Sequence, residues 1–275
     1  MHSQAWYYDA LAWALTLGRE RALRERLAEA ARLAPGETVL DAGCGTGSLA
    51  VAAKRRVGAT GVVHAIDAAP EMIALAREKA ARAGADVAFD VARAEALPFP
   101  DAYFDAVLST LMLHHLPGPV RRAFAAEMRR VLKPGGRVLA VDFEAPARRS
   151  RGLIARVHRH GGVPTRDVVA LLESVGLRVR ETGAVGVSDL HFTLATAPRA
   201  GEDAHATEPA TTRSYGALPL PTWIWPAAVV AIVLAHVLVL GAVAAGLALP
   251  LGIVAGLVAL VVLSHGRLGK LIHRR

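Results

Sequence analysis

From Thr38 to Ala195, short apolar runs alternate with stretches of helical period. Thr38–Ala42, Val62–Ile66, Val87–Val91, Ala106–Ser109 and Arg137–Val141 have the length and β-branched content of buried strands. Ser48–Arg56, Pro70–Ala83 and Val120–Leu132 space their apolar residues as amphipathic helices do. Thr165–Ser174 predicts a further helix, and Arg178–Glu181 and Phe192–Ala195 predict two closing strands. Lys133-Pro134-Gly135-Gly136 reads as a sharp turn into the fifth strand. Strands alternating with helices predict an α/β fold: a Rossmann-like, doubly wound, mostly parallel sheet of seven strands.

Two helices precede this unit. Ser3–Leu17 is amphipathic and carries Trp6, Tyr7, Tyr8 and Trp13. Arg19–Leu33 places Leu23 and Leu27 on one face and pairs Glu20 with Arg24 at i,i+4, until Pro35-Gly36 stops it. Met1–Leu17 has no basic start, and Asp9 interrupts its apolar run, so it is not read as a signal peptide.

The pattern changes after Ala197. Residues 198–222, rich in Ala, Thr, Pro and Gly, read as a flexible linker with nothing apolar to bury. Truncation after Arg199 is therefore expected to leave a folded domain. Trp223–Ser264 is an apolar stretch of 42 residues without Asp, Glu, Lys or Arg. One membrane span needs roughly 20 residues, so this length predicts a hairpin of two transmembrane helices, turning near Gly246 and Pro250. Trp223 and Trp225 suit the interface at its start, and Gly252 and Gly256 give a small-residue face for close helix packing. The domain organisation expected is thus 1–34, two covering helices; 35–197, the α/β domain; 198–222, linker; 223–265, two spans; and 266–275, a basic tail.

Charge refines this picture. The chain carries 32 basic and 24 acidic residues, a net charge of +8. Arg213, Arg267, Lys270, Arg274 and Arg275 lie where there are no acids; without them the balance is 27 to 24. The catalytic part is only mildly basic, which argues against a nucleic-acid partner. Basic residues flank the apolar stretch and none lies in its turn, so the positive-inside rule places both termini and the catalytic domain in the cytoplasm. Between Glu144 and Asp167 lie Arg148, Arg149, Arg151, Arg156, Arg159 and Arg166 without an acid, either a face for anionic headgroups or a solvated surface. The single cysteine, Cys44, excludes an internal disulfide and a Cys-rich zinc site; no metal is expected.

The chemistry concentrates in Val39-Leu40-Asp41-Ala42-Gly43-Cys44-Gly45-Thr46-Gly47. Glycines at alternate positions allow a tight turn and close approach to a ligand, and the helix after them offers unpaired N–H groups. Asp67 ends the second strand, where a carboxylate can accept two ribose hydroxyls. This is an adenosine-binding arrangement. The dinucleotide pattern G-x-G-x-x-G fails because Ser48 stands at its third glycine. A leading Asp41 with alternate glycines instead points to S-adenosylmethionine (SAM). His114 and His115 follow the fourth strand, at the sheet edge where open α/β folds bind ligands, and either is a candidate base or a packing residue; His158 and His160 are alternatives. His236, inside the first expected span, is read as a hydrogen-bonding residue between helices.

Several phrases resemble the class I SAM-dependent methyltransferases related to the ubiquinone/menaquinone C-methyltransferases: the glycine segment, Glu95-Ala-Leu-Pro-Phe-Pro-Asp101, Phe104-Asp105-Ala-Val107 and Val131-Leu-Lys-Pro-Gly-Gly136. Tyr8-Asp9 followed by Leu17-Gly18 resembles that family's N-terminal signature, so the resemblance runs from Tyr8 to Ala197. It implies that Asp41, Gly43, Gly45 and Gly47 hold the methionine and ribose portions of SAM. It further implies that Asp67 and Ala68 meet the ribose, Met72 packs on the adenine, Ala94 and Glu95 offer backbone to the adenine edge, and Ser109 and Tyr8 line the site. Arg93 stands where the family often has an Asp, which leaves adenine recognition to backbone atoms. The expected function is methyl transfer to a lipid-like or amphiphilic acceptor, a quinone precursor or phospholipid, at a membrane. Two alternatives stay open: a soluble small-molecule acceptor with the hairpin as an address only, and a non-catalytic SAM-binding membrane scaffold.

Overall fold

The computed structural model describes residues 18–145, 162–187, 189–199, 201 and 210–218. In chain order the elements are α1 (Glu20–Ala30), β1 (Thr38–Ala42), α2 (Ser48–Val57), β2 (Val62–Asp67), α3 (Pro70–Arg82), β3 (Ala88–Val91) and β4 (Phe104–Thr110). A single 3-10 turn (Leu113–His115), α4 (Gly118–Val131), β5 (Leu132–Phe143), α5 (Thr165–Ser174), β6 (Arg178–Ala184), β7 (Leu190–Thr196) and β8 (Thr211–Thr212) follow. The expected helices 3–17 and 223–264, and with them Tyr8, His158, His160 and His236, lie outside the described residues. Among the described residues no helix is long and apolar enough to cross a membrane.

The sheet has the order β3-β2-β1-β4-β5-β7-β6-β8, and β7 runs antiparallel to both of its neighbours. Strand order reverses between β1 and β4, which opens a crevice at the carboxyl ends of those strands. Helices cover both faces. Leu23 and Leu27 of α1, Leu49 and Val57 of α2, and Ile73 of α3 pack on one face. Phe124 and Met128 of α4 and Val168 and Leu172 of α5 pack on the other. Residues directly across β1 and β4 share a face, so Asp41, opposite Leu108, lies on the α1–α2 side, and Ser109, opposite Ala42, on the α4–α5 side.

Residues 132–136 depart from the expected turn. The β5 strand already begins at Leu132, opposite Phe104, and pairing resumes at Ala106 with Arg137. The Lys-Pro-Gly-Gly phrase is therefore a bulge inside a strand, with Gly135 at φ +79°. Lys133 reaches back to Asp105 at 2.8 Å, and Asp105 also accepts the Thr38 amide at 2.9 Å, tying β5, β4 and β1 together. The phrase from Glu95 to Asp101 is likewise anchored: Glu127 accepts the Leu97 amide, while Arg130 donates to the Leu97 and Phe99 carbonyls and to Asp101.

Among the described residues the sheet has eight strands rather than seven, the eighth lying within the stretch expected as linker. Thr211–Thr212 pairs parallel with β6, and the chain continues along that edge. The amides of Arg213, Tyr215 and Leu218 donate to Thr182, Ala184 and Gly186. Arg26 donates to the carbonyls of Val185 and Gly216, and its guanidinium lies 5.5 Å from the Tyr215 ring. Leu218 is buried in the core, and the first compact unit of the chain ends there. A cut after Arg199 would strip this strap from its edge; a cut after Leu218 keeps it. The strap docks because Gly183 has no side chain: a Cβ there would meet the Arg213 carbonyl. Gly183→Ala is expected to expel residues 211–218, accelerate hydrogen exchange at Arg213 and Tyr215, and cost about 1–3 kcal/mol of stability. Unchanged exchange at both amides would show that the strap does not need the gap.

Candidate SAM site

The glycine segment leaves β1 and turns sharply under restraint from β2. The amides of Gly43 and Cys44 both donate to the Ile66 carbonyl, at 2.8 and 2.9 Å. Gly43, Gly45 and Gly47 all have positive φ, at +73°, +51° and +78°. Their surroundings differ. A Cβ on Gly43 would strike Met112, and one on Gly47 would meet Ala76 at 2.9 Å and Phe89 at 3.1 Å. At Gly45 nothing lies within 4 Å, so its bare Cα borders open space. Gly43 and Gly47 thus serve packing, and Gly45 serves the opening.

Asp67 braces this loop. Its Oδ2 accepts the Gly45 amide at 2.9 Å and its Oδ1 the Ala69 amide at 3.0 Å. A carboxylate has about four lone-pair sites, so two hydroxyls can still be accepted. Lys79 on α3 is a second brace, donating to Thr46 Oγ1 at 2.7 Å and Ser48 Oγ at 2.8 Å. Sequence reading missed it, because Lys79 belongs to the polar face of a helix far along the chain from the loop.

Asp41 is fully buried, and its carboxylate oxygens meet no donor in full hydrogen-bond geometry, although the Ala50 backbone amide stabilises the charge. Burial pushes its pKa up to about 7, against the lowering pull of the Arg24 charge. Ser109 Oγ is also buried without a partner. Buried polar atoms in folded proteins are nearly always satisfied, and Asp41 and Ser109 are exceptions on the two faces of the sheet at the ends of β1 and β4. Burial, with Asp41 and Asp67 nearby, drives the Cys44 thiol well above its ordinary range, which disfavours the thiolate.

Of the other expected site residues, Met72 is half-buried on α3, Ala68 is exposed, Ala94 is buried and Glu95 half-buried. The Ala92 amide donates to the Asp67 carbonyl, which draws the stretch leading to Ala94 towards the end of β2. Arg93 points to solvent and pairs with Glu95 at 3.4 Å. After β4 the backbone is strained at Leu111 (φ +55°), between Ser109 and the Met112 that covers Gly43. The 3-10 turn then sets His114 against Asp142 at the end of β5: Nδ1 to Oδ1 is 2.6 Å, and the His114 amide donates to Oδ2 at 3.0 Å. His115 lies against the His114 ring, with centroids 3.8 Å apart. Asp142 was not singled out by the sequence, where it is one polar residue inside an apolar strand.

An open α/β sheet with a bent glycine loop, an acid after β2 and a buried acid under the loop defines a nucleoside-cofactor enzyme of the Rossmann-like class. Residues 39–136 match the model of a methyltransferase domain family. The chain is 39% identical over 151 residues to a demethylmenaquinone methyltransferase of Thermus thermophilus, covering 55% of this chain and 67% of that one. It is 37% identical over 147 residues to a ubiquinone/menaquinone biosynthesis C-methyltransferase of Bordetella avium, covering 54% and 57%. Its fold is similar to that of a SAM-dependent methyltransferase from Aquifex aeolicus, with a TM-score of 0.56, 26% identity, and coverage of 71% and 98%. The chain belongs to the SAM-dependent methyltransferases, and SAM is its cofactor. The similarity spans about two thirds of the Thermus relative and just over half of the Bordetella one.

Proposed function

We propose that this protein methylates a lipid-like acceptor of the quinone-precursor type, with its catalytic domain on the cytoplasmic side of a membrane to which residues 223–265 anchor it. The observation that carries the acceptor class is the joining of an apolar stretch of 42 residues to a domain similar to a demethylmenaquinone methyltransferase.

Bound SAM supplies an electrophilic methyl group. Asp41, Gly45 and Asp67 would hold it, and Met72, Ala94, Glu95 and Ser109 would line its adenine and methionine ends. The remaining task is to orient the acceptor, exclude water and remove one proton. For a carbon acceptor, the new C–CH3 bond forms as the S–CH3 bond breaks, and the ring carbon then loses a proton. His114 takes that proton. Asp142 accepts from Nδ1 and so leaves Nε2 as the basic nitrogen. His114→Gln is expected to lower turnover by roughly 100-fold or more with SAM affinity unchanged. Equal loss of turnover and of SAM affinity would make His114 structural.

The acceptor is tested with the full chain in membranes, by transfer of labelled methyl from SAM into the lipid extract with demethylmenaquinone supplied. Label confined to water-soluble products would replace this reading with a soluble acceptor and an address-only tail. A carboxyl-terminal reporter active on the far side of the membrane would contradict the two-span topology.

A further inference from the structure

On the α4–α5 face of the sheet a narrow cleft opens near the carboxyl end of β5, with room for about one water-sized group. Asp142 of β5 stands directly opposite His191 of β7, and Ala140 opposite Thr193, and all four line the cleft. Thr165 at the start of α5 and Leu113 of the 3-10 turn close its sides. Asp142 and Thr193 are buried, at 4% and 2% exposed, whereas His191 is half-buried, so the lining runs from buried polar groups towards the surface.

The polar lining is rich in acceptors. Asp142 Oδ1 accepts from His114 Nδ1 and the Phe143 amide, but Oδ2 accepts from the His114 amide alone and keeps a lone pair. His191 turns Nδ1 to the Asp189 carbonyl at 3.4 Å and the Glu144 carboxylate at 3.9 Å. Both are acceptors, so the ring proton belongs on Nδ1 and Nε2 is left to accept. The Thr165 hydroxyl donates to Glu144 and so also presents lone pairs. A ligand that brings an O–H satisfies such a lining. An ether or carbonyl oxygen would set lone pair against lone pair and forfeit the water each group had. A metal ion fits less well, because among the described residues no three His, Cys, Asp or Glu side chains gather as metal ligands.

We propose that this cleft is a hydroxyl subsite for the methyl acceptor. It takes an arene O–H, held by Asp142 Oδ2 and His191 Nε2, with Thr193 one strand pair further into the sheet. The inference rests on the quinone-precursor reading of the acceptor and adds specificity residues from β7 to it. Asp142 also orients His114, so a hydroxyl seated here lies one carboxylate away from the proposed base. An O–H bonded to acceptors pushes electron density into its ring, and the carbon beside it becomes the better nucleophile for the methyl group.

The test is binding alone, without SAM, by calorimetry on the full chain in detergent micelles, corrected with protein-free micelles. 1-Naphthol carries one arene O–H; 1-methoxynaphthalene keeps the ring and the oxygen without that proton. The unaltered chain should bind 1-naphthol roughly tenfold more tightly than the ether. His191→Phe and Thr193→Val should each weaken 1-naphthol by about 3- to 10-fold and the ether by less than about twofold. His191→Gln, whose amide oxygen still accepts, should recover part of the loss. Equal affinity of the unaltered chain for the two ligands, or a preference unchanged in His191→Phe, would overturn the subsite. Equal weakening of both ligands would make His191 and Thr193 structural and overturn it too. The measurement needs neither methyl transfer nor lipid, so a failed quinone-precursor reading shows separately, as label missing from the lipid extract.

Discussion

Asp41→Asn makes the ligand-free protein more stable and its SAM binding weaker. The reason is the cost of a buried charge. Burial raises the Asp41 carboxyl from 3.8 to about 7, so between those values the folded protein keeps a proton that the unfolded chain has lost. The stability this group contributes is complete below the unfolded value, falls as pH rises, and is gone above the folded value. The full interval is worth on the order of 4 kcal/mol. Asparagine is neutral throughout and recovers part of it at neutral pH, about 2 kcal/mol, or roughly 4–8 °C in melting temperature. The same change removes the anion proposed to hold SAM and should lower affinity tenfold or more. The unaltered protein should bind SAM about tenfold more weakly for each pH unit below 7, because Asp41 must first lose its proton. Asp41→Asn should flatten that slope. Melting curves and calorimetry between pH 6 and 8 check both effects. A variant that melts lower and keeps the slope would mean that Asp41 is satisfied without cofactor.

Asp67→Ala has the opposite signature, losing stability and affinity together. Asp67 holds the Gly45 and Ala69 amides, and each hydrogen bond to a charged acceptor is worth about 1.5–3 kcal/mol. Without it the loop loses the brace that keeps Gly45 open, and the ribose loses its acceptor. SAM affinity should fall more than about 100-fold, and the melting temperature should drop by several degrees. Asp67→Asn should recover part of the stability, since its amide oxygen accepts one N–H, and little of the affinity. Calorimetry with SAM showing unchanged affinity in Asp67→Ala would remove Asp67 from the site.

The sequence by itself determined the strand and helix positions that carry the site. Burial on both faces makes β1, β4 and β5 continuous apolar runs, and period alone sets the helices between them. Thr165–Ser174 has the predicted bounds, and β2 ends one residue later than predicted, on Asp67 itself. The glycine loop and its two acids were legible because their residue types are local and unusual. Three features were decided only by the tertiary structure. The His114–Asp142 pair joins two strand ends 28 residues apart, and nothing local marks Asp142 as a partner. The brace of Lys79 on Thr46 and Ser48 joins a helix to a loop about thirty residues earlier, which periodicity does not fix. The strap at 211–218 is polar and mostly exposed, without alternation, so it reads as linker. It becomes a strand because the edge of β6 offers unpaired backbone and Gly183 leaves room to reach it. Local pattern records what a residue does with its neighbours in the chain, and these contacts exist only once the sheet has assembled.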